Sequence, residues 1–270
     1  MTLLRATSSE LTKQFTTAIW WILALVLALY VGMIATGLAF AIAASATGAL
    51  PGTTTTGEGP ASGSLIYSLA NSIGYVFPLL IGTLLVTGEF RHKTLTPTFL
   101  AIPRRGAVLG GKLLAGAVLG LLYGVIAVVV TAAPGAAVFA GFGLETGLGT
   151  GDTWAMLGRI LIAFVLWVLV GIGTGLVVRN QVAAIVIVLA FTQFVEPLLR
   201  VGAAFVESLS GIGRFLPGAA GDALVGASAL NMGSGTADTL AWWGGGLVLL
   251  GYAVVLLLIG YVTSWRRDVA

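Results

Sequence analysis

Long apolar runs, broken by short polar clusters, dominate the chain. A membrane-spanning helix needs about 20 mostly apolar residues. Six such runs are bounded by charge or by Gly, Ser, Thr and Pro clusters: 18–44, 65–86, 107–133, 154–178, 182–199 and 240–262. The second is interrupted by Asn71, Ser72 and Pro78, the third carries Lys112 near its start, and the fourth carries Arg159. Glu196 and Pro197 interrupt the fifth. The pattern predicts an all-α integral membrane protein with six transmembrane helices and both termini on one side. The segment Ala41-Ile42-Ala43 resembles a signal-peptide cleavage site. The run before it is far longer than the 7–15 residues of a signal core, so a retained span is expected.

Two polar stretches have a helical pattern of their own. In residues 1–16, Thr7 and Glu10 have capping-box spacing, which predicts a helix start near Ser8. Leu11 and Phe15 share one face, Lys13 lies off it, and Leu3 and Leu4 add apolar surface. This predicts an amphipathic helix lying at the membrane surface. The second stretch, 89–104, joins spans two and three. Thr96 before Pro97 reads as an N-cap and first helical residue. Leu95, Phe99 and Ile102 then fall on one face, flanked by Arg91, Lys93, Arg104 and Arg105, and Pro103 ends the helix. A plain connector would not need such a helix.

Composition narrows the function. Of 270 residues, 58% are hydrophobic and 9% charged, against about 25% charged in soluble domains. A soluble enzyme and a free nucleic-acid binder are therefore excluded. With no cysteine and one histidine, His92, thiolate metal sites, thiol nucleophiles and paired-histidine zinc chemistry are excluded too. The net charge of +3 is better read by position. Arg5, Lys13, Arg91, Lys93, Arg104, Arg105, Lys112, Arg179, Arg266 and Arg267 fall on one side; Arg159, Arg200 and Arg214 fall on the other. That imbalance predicts cytoplasmic termini in the cell membrane, with outer loops at 45–64, 134–153 and roughly 200–239. Trp20, Trp21 and Trp265 would mark the inner boundary, and Trp154, Trp242 and Trp243 the outer one.

Glu89 ending span two, Arg91, Thr94-Leu95, Pro103-Arg104-Arg105 and Lys112 opening span three together resemble the permease subunits of ABC type-2 exporters. So do Ser9-Glu10-Leu11-Thr12-Lys13 with Thr16-Thr17 before span one, and the late segment Gly213-Arg214-Phe215-Leu216-Pro217-Gly218. The chain departs from the family at Lys93, where members often carry Gly before Thr-Leu. The resemblance implies a dimer of permease subunits that bind no cofactor themselves. ATP and Mg would sit in separate ATPase subunits docked on the cytoplasmic face. Residues 89–104 would be the coupling helix, presenting Glu89, Arg91, His92, Lys93, Thr94, Leu95, Phe99, Pro103 and Arg104. The N-terminal helix, with Glu10 and Lys13, would be the connecting helix, and residues 265–270 a cytoplasmic tail. Spans two and five of both copies would line the substrate cavity.

Other near-motifs weaken on inspection. Gly106 to Lys112 matches G-x-x-x-x-G-K, but Leu113 replaces the hydroxyl that would hold magnesium, and the stretch opens an apolar span. Lys112 is better read as snorkelling to the membrane surface. Gly149-Thr150-Gly151-Asp152 has the G-x-G-D of intramembrane aspartyl proteases. That chemistry needs a second facing aspartate, and no apolar run contains one. Gly116, Gly120 and Gly124, like Gly171 and Gly175, recur every four residues, which predicts close helix packing, within one subunit in preference to across a dimer.

Polar residues inside spans carry more information, because they are expensive there. Tyr67, Asn71 and Tyr75 form one stripe, and Gln193 and Glu196 a shorter one. They serve either as helix–helix hydrogen bonds or as a mildly polar cavity lining. Glu196 and Arg200, one turn apart, form either a pair that closes the outer side or a structural pair. The expected function is export of a hydrophobic or amphiphilic drug, lipid or peptide by alternating access. Two rivals remain. A secondary carrier would show inverted repeats and mid-membrane charges. A non-transport assembly or immunity protein would not depend on an ATPase.

Overall fold

The computed structural model describes residues 3–49, 59–101, 105–205, 211–226 and 240–265. They form helices α1 (Leu3–Phe15), α2 (Ile19–Ala46), α3 (Gly59–Ser72), α4 (Val76–Arg91), α5 (Leu95–Ala101), α6 (Arg105–Gly141) and α7 (Gly151–Val177). Then follow α8 (Gln181–Ala190), a π-helical turn (Phe191–Val195), α9 (Glu196–Phe205), α10 (Pro217–Val225), α11 (Trp242–Gly260) and a second π-helical turn (Tyr261–Trp265). No strand occurs among the described residues. A chain this apolar must satisfy its backbone polar groups internally, and helices do so within each segment.

Six stretches are long and apolar enough to cross a membrane: Ile19–Ala46, Gly63–Arg91, Arg105–Gly141, Gly151–Val177, Gln181–Ala203 and Trp242–Trp265. The chain is a multi-pass membrane protein. Most spans outrun the apolar runs that predict them. The clearest case is span three, which continues through Pro134 to Gly141 where the sequence suggests an outer loop. Proline removes one helical hydrogen bond, a loss that neighbouring helices make tolerable in a membrane bundle. Its 37 residues reach roughly 55 Å at 1.5 Å per residue, well beyond a hydrocarbon core of about 30 Å.

Span two is two helices in series. The break at Ile73–Tyr75 follows Asn71 and Ser72, and Pro78 falls in the first turn of α4, where a missing N–H is harmless. This span is the centre of the bundle and almost wholly buried, whereas spans five and six are mostly exposed. It packs on α7, which also contacts α6 and α11. The glycine repeats explain how closely. Gly116, Gly120 and Gly124 of α6 face Ile172, Val165 and Leu161 of α7, and Gly171 and Gly175 of α7 face Leu79 and Thr83 of α4. The spacing therefore serves packing within one chain. At Gly171 the backbones all but touch, since a Cβ there would collide with the Leu79 carbonyl. Thr83 Oγ1 closes the same contact by donating to the Gly171 carbonyl at 3.1 Å.

Both ends of the described chain lie at one end of the bundle. Trp265 Nε1 donates to the Arg105 carbonyl at 3.0 Å, and Arg179 donates to Ser264 Oγ and the Thr263 carbonyl at 3.0 and 2.6 Å. Trp265 is thus buried between helices instead of facing lipid headgroups. At the opposite end the Arg159 guanidinium lies 5.0 Å from the Trp242 ring centre, while Trp154, Trp242 and Trp243 are exposed as an aromatic belt requires.

Replacing Gly171 by Val should destabilise the bundle by about 1–3 kcal/mol or more, the cost of overpacking a tight contact. Gly37→Ala, where nothing lies within 4 Å, should be neutral or stabilising by up to about 1 kcal/mol. Thermal unfolding in detergent measures both; equal midpoints for the two variants would refute the packing assignment.

Candidate functional site

The site begins with two small residues. Ala6 of α1 packs against Gly111 of α6, where an added Cβ would stand 2.9 Å from that of Ala6. The helices therefore approach closely, and the next turn of α1 carries Glu10 inward to 3% exposure. Opposite it stands Lys112, with no exposed surface. Lys112 Nζ lies 2.5 Å from Glu10 Oε2 and 2.8 Å from Glu89 Oε2. Lys13 Nζ lies 2.8 Å from Glu10 Oε1 and 3.0 Å from Glu89 Oε1. Each carboxylate meets both ammonium groups, so four charges from three helices form a closed, neutral ring.

This corrects two expectations. Lys112 does not snorkel: its ammonium is held inside the protein, where pairing is the condition for keeping its charge. The capping box at Thr7 does not form either. The helix already includes Leu3, Thr7 Oγ1 bonds back to the Leu3 carbonyl at 3.1 Å, and Glu10 is engaged in the ring. Burial opposes the charge on both α1 groups, but the ring prevails. Glu10 is held below its ordinary value of 4.5 by Lys112 and Lys13. Lys13 is raised above its ordinary 10.5 by Glu10 and Glu89. The stabilisation from Glu10 is therefore present above pH 4.5 and lost as pH falls through its lowered value. That from Lys13 is present below pH 10.5 and lost as pH rises through its raised one.

Glu89 reaches the ring because it belongs to the last turn of α4 and not to the helix that follows. The end of α4 is a Schellman cap: Thr94 N–H donates to the Glu89 carbonyl at 3.1 Å and Lys93 N–H to that of Phe90 at 3.4 Å. The motif requires a left-handed residue after the cap, and Lys93 has φ 54°. That conformation favours glycine. Segment 89–104 is thus a helix end, a turn and the short helix α5, which opens at Leu95, earlier than the Thr96–Pro97 signal. Leu95 is buried and anchors it, while Arg91, His92, Lys93, Thr94 and Leu100 are exposed. Arg91 Nη1 donates to Gln181 Oε1 at 3.3 Å, linking the turn to the start of span five. Phe99 lies on α5; Ile102, Pro103 and Arg104 lie outside the described residues, as do 266–270 of the tail.

The polar residues of spans two and five form a second cluster. Glu196 Oε1 accepts from the Gly218 and Ala219 N–H groups at 2.5 and 3.2 Å, at the start of α10. Arg200 donates to the same oxygen through Nε and Nη2 at 3.2 and 3.0 Å, and to Asp222 Oδ2 through Nη1 at 2.8 Å. Asp222 Oδ1 accepts from Asn71 Nδ2 at 2.9 Å and Ser72 Oγ at 3.0 Å. Tyr75 donates to the Thr192 carbonyl at 3.2 Å and lies 3.3 Å from Glu196 Oε2. Tyr67 donates to the Thr146 carbonyl at 2.7 Å. Asn71, Ser72 and Tyr75 thus make hydrogen bonds between helices, while Tyr67 bonds to the segment joining α6 and α7. Of the five candidates only Gln193 is exposed.

Asp222 is the member that sequence reasoning missed. It sits in a stretch read as an outer loop, yet the stretch is marked as a helix by Pro217 at its first position and Gly226, at φ 85°, after its end. Among the described residues no group of three His, Cys, Asp or Glu could hold a metal ion. Comparison of the chain with family models and with curated proteins gives no match.

Lys112→Met should cost about 3–5 kcal/mol, because it leaves Glu10 and Glu89 buried with a single cation. Adding Glu10→Gln should recover part of that loss. Unfolding of the single and double variants in detergent checks this; strictly additive losses would mean that the ring is not a unit.

Proposed function

We propose that this protein is the transmembrane permease subunit of an ABC type-2 exporter. It carries a hydrophobic or amphiphilic substrate outward by alternating access, driven by separate ATPase subunits on the cytoplasmic face. The observation that carries this reading is the ring of Glu10, Lys13, Glu89 and Lys112. It fastens α1, the end of span two and the start of span three into one unit directly beside the exposed turn and α5. A partner pressing on α5 would then move two spans and the N-terminal helix together. A connector without this role would have no reason to bury three charges, Glu10, Glu89 and Lys112, beneath it. Burial of ion pairs adds little net stability over apolar packing, so their presence favours a role in fixing geometry.

In this reading α5 and the turn before it dock against the ATPase through Arg91, His92, Lys93, Thr94 and Leu100. Leu95 holds α5 to the permease. ATP binds one conformation of the complex better than the other, and that difference shifts the spans between inward- and outward-facing states. The chain supplies the pathway, while ATP, Mg and the hydrolytic chemistry belong to the partner. The excess of Lys and Arg on the α1 side supports a cytoplasmic position for that face in this reading.

A mild-detergent pull-down from the native host should bring an ATPase subunit with this chain. In the recovered complex, Arg91→Glu or the Thr94→Ala/Leu95→Ala pair should cut transport-coupled ATPase activity at least about tenfold, equivalent to some 1.4 kcal/mol of lost coupling, with membrane insertion unchanged. Wild-type activity in both variants, or a chain that never recovers an ATPase, would overturn the assignment.

A further inference from the structure

Glu196, Asp222 and Arg200, when all are ionised, bring an excess of one negative charge into the bundle, and the two carboxylates are 1% and 2% exposed. Such an excess is costly there and marks a functional position. The hydrogen bonds show which oxygen lacks a donor. Asp222 uses both of its own: Oδ1 accepts from Asn71 and Ser72, and Oδ2 from Arg200. Glu196 Oε1 accepts from Arg200 and from the Gly218 and Ala219 N–H groups. Among the described residues Glu196 Oε2 meets only the Tyr75 hydroxyl, at 3.3 Å. Tyr252 of α11 is a further titratable group near Glu196, and its hydroxyl donates to the Phe215 carbonyl.

Tyr75 has one proton to give, and the backbone takes it. In the π-helical turn Phe191–Val195 the Glu196 N–H donates to the Phe191 carbonyl. An α-helix would supply the Thr192 carbonyl with that Glu196 N–H, and a continued π-helix with the N–H of the next residue. The next residue is Pro197, which has none. The Thr192 carbonyl is therefore left to the Tyr75 hydroxyl, at 3.2 Å. Between Tyr75 and Glu196 Oε2 two oxygens then face each other, and Tyr75 has no second proton for the contact. Turns of this kind recur at functional positions.

We infer that Glu196 binds a proton at Oε2 in this state, and that the proton sets the helical register of span five. The O–H bond formed at Oε2 donates to the Tyr75 oxygen, Tyr75 donates to Thr192, and Asp222 and Arg200 are left as a balanced pair. A proton taken up from water is the only reactant. Its loss leaves a carboxylate that draws the Tyr75 proton to itself. The Thr192 carbonyl, which cannot stay bare inside a membrane bundle, then needs the Glu196 N–H, and the π-helical turn must convert to α-helix. Protonated Glu196 thus goes with the π register and ionised Glu196 with the α register. Conversion turns one part of span five against the other by about 100°, the rotation of one residue. The device lies wholly within this chain and stands whether or not an ATPase docks on α5.

Infrared spectroscopy of the purified chain in lipid bilayers reads this proton directly. At neutral pH the wild type should show the C=O band of a protonated carboxyl group. Glu196→Gln, whose amide can donate to Tyr75 as the acid does, should lose the band. Asp222→Asn should lose it too, although Glu196 is still present, because Arg200 then takes Glu196 as its anion. The register is read separately. The chain has no cysteine, so spin labels can be placed at Val186→Cys and Leu198→Cys, exposed positions on either side of the turn. The distance between them should change as pH is raised until the wild-type band disappears, and should stay fixed over the same range in Glu196→Gln. A wild type without the band, or a band that survives in Glu196→Gln or Asp222→Asn, would overturn the proton site. A label distance that holds still while the band is lost would overturn its control of the register.

Discussion

A lysine with no exposed surface sits where an apolar helix begins. Keeping Lys112 charged there requires anions, and Glu10 and Glu89 supply them from two other helices. The same requirement fixes the position of α1, the length of α4 and the entry of α6. Lys13 closes the ring and leaves it neutral. Only once these charges are matched can α5 be carried as a projecting piece on a rigid base. In a chain with 9% charged residues, charges are too few to be incidental, and where they are buried they define the architecture.

The rule holds again in the bundle interior. Glu196 caps α10 from span five, and Arg200 bridges to Asp222, which in turn holds span two through Asn71 and Ser72. Span two is common to both clusters, through Glu89 at its end and Asn71 and Ser72 at its break, and Gln181 at the start of span five accepts from Arg91 of the exposed turn. A displacement of that turn therefore has a direct physical connection to the second cluster. The proposed mechanism adds to this connection two alternative arrangements that nucleotide binding selects between.

Much of the layout was legible in the sequence because hydrophobic length reports directly on membrane crossing. Six runs became six spans, and the one-turn spacing of Glu196 and Arg200 became an ion pair at 3.0 Å. The glycine repeats reported close packing, though periodicity alone could not name α7 as their partner. What stayed hidden depended on distance in the chain. Glu10 and Lys112 are 102 residues apart, so no local pattern could show that the lysine is paired instead of snorkelling. Asp222 was obscured for another reason: a nine-residue helix is too short to register as a span, and its Gly and Ala residues look like a loop. The left-handed turn at Lys93 was not legible, since lysine itself gives no hint of positive φ.

The proposed function requires that the face bearing α5 receive an ATPase. Leu100 is the residue to test, being 80% exposed on α5 in a chain without cysteine. A photoreactive group attached at Leu100→Cys, activated in native membranes with and without nucleotide, should form an adduct with a nucleotide-binding subunit, in a yield that changes when ATP is bound. Adducts with lipid alone, or with a protein that binds no nucleotide, would rule out an ATPase on this face.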